Sequence, residues 1–543
     1  MAQFLDIFGF LAVVLRALTL ACGSIAVGGV VFRCLVLERL VPEKASPEFA
    51  SGRRLITAAA LGLALTQSCY VLANSVILSG TTGIKFAELI GASYFVWGCL
   101  SVASALVLAG LAGKRSPGRL PALLCSILII LSTVATSHSA ARLDHRVPLL
   151  LATSAHQVAT AAWIGGLPYL LFSLATSETS VRSYELCRRF SSLALASVAV
   201  LLGAGLVLAV FYTGSVEAVY GTTYGAMLTS KIVLFGMILL FGAFNYKMVR
   251  QLRAGDYTLL LRLGRMAEVE IGIGITAILA AASLTSQPPG VDLIRDRVNF
   301  HTIVARMTPH WPRMTTPPLS SLSPSTLELW KQQHPVRGSA AQAYVPGQNY
   351  SPPTEGDIAW SEYNHHWAGF VVLISGVLAV CSGFGGMRWA RLWPVAFLGL
   401  AVFLLLRADP ENWPLGPNGF WESFSSADVA QHRFFVLLIV AFAVFECGVQ
   451  TGRLSSRMAA LVFPMVCAVG GAVLLTHTHA LTNVKEELLA EWSHIPLALL
   501  AVAAGWSRWV ELRLPGSGTA LAARVWPVCF VLIGAVLLLY REA

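Results

Sequence analysis

Residues 188–247 read RRFSSLALASVAVLLGAGLVLAVFYTGSVEAVYGTTYGAMLTSKIVLFGMILLFGAFNYK. Two apolar runs, 190–212 and 226–246, each reach the roughly 20 residues that carry a helix across the hydrocarbon of a bilayer. No water is available there to satisfy backbone groups, so such runs must be helical. Arg188, Arg189 and Lys247 stand at the far ends of the pair, and a short polar turn joins its near ends. The stretch therefore reads as a transmembrane hairpin with both basic ends on one side.

The same grammar extends in both directions. Spans at about 8–32, 55–78, 87–112, 120–137, 148–173 and 267–286 belong to the first half of the chain. After a long polar stretch come 366–383, 391–407, 431–449, 457–476, 493–508 and 523–540, which brings the total to about fourteen. Only 12% of the 543 residues are charged, 56% are hydrophobic, and the mean hydropathy is +0.68. Soluble domains carry roughly 25% charged residues, so that class is excluded. The predicted fold class is all-α, a polytopic transmembrane helical bundle. The first run begins Met1-Ala2-Gln3-Phe4 without a basic n-region and continues to about Val31. It reads as a transmembrane helix rather than a cleavable signal.

Orientation follows from Lys and Arg in the connections. Arg33, Arg39, Lys44, Arg53 and Arg54 crowd the first, Lys114, Arg115 and Arg119 the third, and Arg182, Arg188 and Arg189 the fifth. The alternation continues through Lys247, Arg250 and Arg253, then Arg388 and Arg391, Arg453 and Arg457, and Arg508, Arg513 and Arg524. Basic connections face the cytoplasm, which puts both termini outside. The formal charge of +10 is accounted for by these loops, and no nucleic-acid partner is expected. The organisation expected is 1–286 as an eight-helix unit, 287–364 as an outer Pro- and Ser-rich insertion, and 365–543 as a six-helix histidine-rich unit.

On that topology all twelve histidines fall on the outer side. Neutral imidazole is the commonest metal ligand and suits copper and zinc. The candidate ligands are His365, His366, His432, His477, His479 and His494, with His138 and His156 as a second site. His365 and His366 point about 100° apart on a helix, so they are not expected to serve one ion together. In the insertion, His301, Met307, His310 and Met314 alternate imidazole with thioether, a loop set fitted to copper. Glu362, Glu487 and Glu491 are placed to orient ligand imidazoles. Lys231 and Arg16 are charges inside apolar spans, a functional pointer in their own right. The ten cysteines avoid the outer side, and there is no C-x-x-C. No G-x-x-x-x-G-K-[ST] occurs either, so no nucleotide partner is expected.

These residues resemble a known family. Residues 188–247, with His156 and Trp163-Ile164-Gly165-Gly166-Leu167-Pro168 before them, are similar to the copper resistance protein D (CopD) family, over about 148–286. Tyr224, Gly225, Leu228 and Lys231 match the family's YG-x-x-L-x-x-K pattern. The C-terminal part looks like the multi-histidine extension of its longer members, on Trp360 to Trp367, Gln431-His432-Arg433, Leu475 to Ala480 and Lys485 to Leu488. The resemblance implies a bacterial inner-membrane protein with periplasmic termini. It also implies copper, as Cu(I) or Cu(II), taken up alongside a separate periplasmic copper-binding partner. An alternative stays open: a membrane oxidoreductase in which paired histidines hold haem b, copper or both. No catalytic residues are assigned.

Overall fold

The computed structural model describes residues 2–41, 46–114, 118–177, 179–253, 255–322, 354–384, 387–423, 427–475, 484–514 and 519–542. Among the described residues the regular structure is helical, with one isolated bridge between Asn412 and Asn418. Helices of ten or more residues are labelled in chain order. They are α1 (Ala2–Phe32), α2 (Pro47–Thr82), α3 (Ser93–Gly113), α4 (Arg119–Ala135), α5 (Arg146–Trp163), α6 (Leu167–Thr176), α7 (Ser180–Thr213), α8 (Thr223–Gln251) and α9 (Tyr257–Leu284). The series continues with α10 (Glu355–Ser382), α11 (Val395–Arg407), α12 (Ala427–Gln450), α13 (Val462–Leu474), α14 (Val484–Arg513) and α15 (Ala520–Leu538).

Among the described residues, 13 segments are long and apolar enough to span a bilayer, and α4 supplies a shorter apolar helix where 120–137 is predicted. This is the predicted polytopic helical bundle. Its helices turn apolar side chains outward, as lipid solvent requires: Leu65, Leu206 and Leu437 are 66%, 67% and 67% exposed. Water would penalise such surfaces, whereas lipid chains do not.

The helices differ from the predicted spans chiefly at their ends. α2 starts at Pro47, with proline in the first helical turn, and α7 starts where the Thr179 side chain accepts from the Arg182 N–H. Hydropathy marks the stretch that suits lipid, whereas the helix runs on until a cap stops it. α1 ends in a π-helical turn, Arg33–Leu37, where Arg33 pairs with Glu38 at 2.8 Å. The predicted span 148–173 breaks between α5 and α6. There Gly165 lies against the α1 backbone, and a Cβ would come within 1.9 Å of the Ser24 carbonyl oxygen. Part of the expected insertion is also helical: α10 begins at Glu355, fixed by a capping box between Thr354 and Asp357.

The described residues form two compact units. One comprises 10–219 and 227–295, the other 1–9, 220–226 and 296–543. The second has an aromatic core in which Trp393, Phe463, Trp526 and Phe530 lie with ring centroids 5.3–6.2 Å apart.

Candidate functional site

In the second unit the site begins with two helices that almost touch. Gly369 and Gly376 lie two turns apart on α10, and Gly534 faces them from α15. A Cβ on Gly369 would lie 2.3 Å from the Leu538 nitrogen, and one on Gly534 would lie 2.3 Å from the Leu373 nitrogen. Small residues at such a seam let backbones approach closely, which is how helices associate without a hydrophobic driving force. The approach carries Tyr540, just beyond α15, onto the first turns of α10.

Tyr540 meets both histidines there. Its ring stacks on His365 at 4.0 Å between centroids, and its carbonyl accepts from His366 Nε2 at 2.8 Å. His366 Nδ1 accepts from the Arg313 backbone N–H at 2.7 Å, so both its nitrogens are committed to backbone groups. His365 Nδ1 donates to the Ser361 carbonyl at 2.8 Å, which directs Nε2 away from its own helix. His494 of α14 approaches to 6.5 Å from His365 and 6.2 Å from Tyr540, centroid to centroid. The Tyr540 hydroxyl donates to Glu542 at 2.9 Å, and the Ser361 hydroxyl donates to the same carboxylate oxygen. Burial, with the Glu542 carboxylate beside it, pushes the Tyr540 phenol well above its ordinary pKa.

The other candidates on this unit are placed separately. His432 Nδ1 bonds Asp409 at 2.9 Å, near Arg433, which donates to the Leu405 and Trp413 carbonyls. Glu362 pairs with Arg313 at 3.5 Å, and Glu491 is buried. His301 and Met307 are exposed on a short helix, His310 bonds the Thr308 carbonyl, and the Met314 carbonyl accepts from Trp367. His334, His477, His479 and the Glu487 side chain lie outside the described residues. Among the described residues no three His, Cys, Asp or Glu side chains are already set around a metal position.

In the first unit, His138 lies edge-on to Tyr212 with centroids 6.4 Å apart and bonds the Thr285 backbone. Its Nε2 is buried without a partner. Burial, with Arg16 and Arg142 nearby, holds its pKa below the ordinary value and so keeps it in the neutral, ligating form. Arg16 also lies 5.9 Å from the Tyr70 ring centroid. His156 Nδ1 is likewise buried without a partner, and the Lys231 ammonium bears on that ring. Among the described residues no ring contact joins His138 to His156. Arg142 grips Asp292 through both carboxylate oxygens at 2.7 and 2.8 Å. The pair is half open to solvent, so Asp292→Asn is expected to cost only about 0.5 kcal/mol. Thermal unfolding at low and high salt checks this: a large, salt-independent loss would refute it.

Three acidic or phenolic groups escape the sequence reading. Glu270, 3% exposed within α9, accepts from Asn245 at 2.6 Å and from Trp163. The signal for it was present, as one of two carboxylates, Glu268 and Glu270, inside the predicted span 267–286. Tyr540 and Glu542 carry no such signal, because only the α10–α15 seam brings them to the histidines.

The fold and this site define a multi-pass helical membrane protein with imidazoles from two helices gathered beside a tyrosine and a carboxylate. Residues 184–284 match the family model described as Copper resistance protein D. That stretch includes α8 and α9, and therefore Lys231 and Glu270. Over 163 residues the chain is 29% identical to the protein named Copper transport protein CutJ of Bacillus subtilis (strain 168). The alignment spans 30% of this chain and 29% of that relative, under a third of either. No solved structure matches.

Proposed function

We propose that this chain is a copper-handling protein of the bacterial inner membrane, which takes copper at its periplasmic side through His365 and His494 and passes it inward. The observation that carries the reading is the meeting of those two rings, from α10 and α14, in a chain that also contains a copper resistance protein D region. The name of the Bacillus subtilis relative, a copper transport protein, supports copper as the cargo. Two imidazoles near a carboxylate suit copper better than magnesium or calcium, which prefer all-oxygen shells. Copper would arrive on a separate periplasmic carrier. His138 and His156, each with an unpartnered buried ring nitrogen, supply candidate acceptors in the first unit.

The haem alternative requires a flat porphyrin between paired histidines. Tyr540 fills the ground beside both His365 and His494, which favours a compact ion. Metal analysis and the visible spectrum of the purified chain separate the two. Copper loading should give bound copper in whole-number ratio and no Soret band. A Soret band that shifts on reduction would overturn the proposal in favour of haem, and a chain with neither bound copper nor a Soret band would overturn both.

A further inference from the structure

Resting on the copper reading above, we infer that Glu542 is a third copper ligand beside His365 and His494, and that Tyr540 is the ring copper must displace to reach them. Five observations converge on it.

Glu542 is a carboxylate whose hydrogen-bond partners are neutral. Ser361 and Tyr540 donate to its Oε2, while the Arg306 guanidinium donates to the Glu542 backbone carbonyl at 2.8 Å. Two neutral hydroxyls thus hold a half-buried carboxylate oxygen, and a metal ion would give it a positively charged partner. Ser361 lies one helical turn before His365, so the residue that holds Glu542 shares a face with the histidine. The bond from His365 Nδ1 to the Ser361 carbonyl fixes the tautomer that leaves Nε2 as the ligating nitrogen, as outer partners of metal-bound imidazoles do. His494 brings a second imidazole from another helix.

The fifth observation is the route. A cavity of about 430 Å³ is lined by His310, Trp311, Arg313, Glu355, Glu362 and Tyr540, among others. Trp311 at its edge is 96% exposed. Tyr540 thus borders the cavity and also both imidazoles. With its ring in place the donors are not set around a common position, in keeping with the absence of a ready three-donor group among the described residues. With the ring withdrawn, the two imidazoles and the Glu542 carboxylate would border the vacated space. Such a mixed set suits Cu(II).

The test is Cu(II) titration of the full chain in detergent against a competing chelator, with electron paramagnetic resonance of the loaded protein. Glu542→Gln, nearly isosteric, should weaken Cu(II) binding at least tenfold and change the spectrum while nitrogen couplings from two imidazoles persist. Glu542→His, which restores a donor, should recover much of that affinity, whereas a merely structural role would show no rescue. Tyr540→Ala should speed loading severalfold, and Tyr540→Phe, which keeps the ring, should not. Unchanged affinity and spectrum in Glu542→Gln would overturn this inference while leaving the histidine pair standing. Unchanged affinity in His494→Ala would overturn the underlying copper reading together with it.

Discussion

Gly534→Leu is expected to prise α15 from α10 and to destabilise the protein by about 3 kcal/mol or more. The Gly534 Cβ position already lies 2.3 Å from the Leu373 nitrogen and 2.5 Å from its Cα, so backbone would have to yield, not a flexible side chain. The opposing glycine Gly376 is equally committed, since its own Cβ would lie 2.6 Å from the Val531 nitrogen. In a bilayer, what holds such a seam is close van der Waals packing, which falls away steeply with separation. The displaced helix would also carry Tyr540 off His365. Gly399→Leu is the control: nothing lies within 4 Å of a Cβ there, and it should unfold like the parent. Thermal unfolding in detergent measures the contrast. If Gly534→Leu melts within a degree or two of the parent chain, the packing account of this seam fails.

That seam also explains what could and could not be read in advance. The membrane-spanning helices were legible because lipid imposes one demand, apolar length, and each run satisfies it locally. Their ends were less legible, since Thr179 and Thr354 stop helices through side-chain bonds that hydropathy does not register. The break at Gly165 depends on the Ser24 carbonyl of another helix, a partner that no local window contains. The histidines themselves were visible as polar residues near helix ends. Which of them meet was not: His366 and Tyr540 are 174 positions apart, and their contact exists only because glycines on α10 and α15 allow it. Adjacent His365 and His366 looked equivalent in sequence. They differ because Arg313 and Tyr540 offer backbone groups on the His366 side only.

The same distinction leads to the second large effect, a loss of copper affinity of about a hundredfold or more in His365→Ala. Removing groups that merely orient a metal ligand costs 10–100-fold, so deleting a ligand should reach or exceed the top of that range. His494→Ala should lose a similar amount, and the double variant scarcely more, because one imidazole left alone binds little better than any surface histidine. Such non-additivity is the mark of residues that share one site. His366→Ala should behave differently. It strands the Arg313 N–H and the Tyr540 carbonyl in a buried place, which costs about 1–3 kcal/mol each in folding and disturbs copper only through stability. His432, bonded to Asp409 and half exposed, should leave the affinity of this site within a few-fold of the parent when replaced. Competition titration across the four single variants and the double decides the matter. Strictly additive losses for His365 and His494, or a loss at His432 as large as theirs, would show that the two rings do not hold one ion.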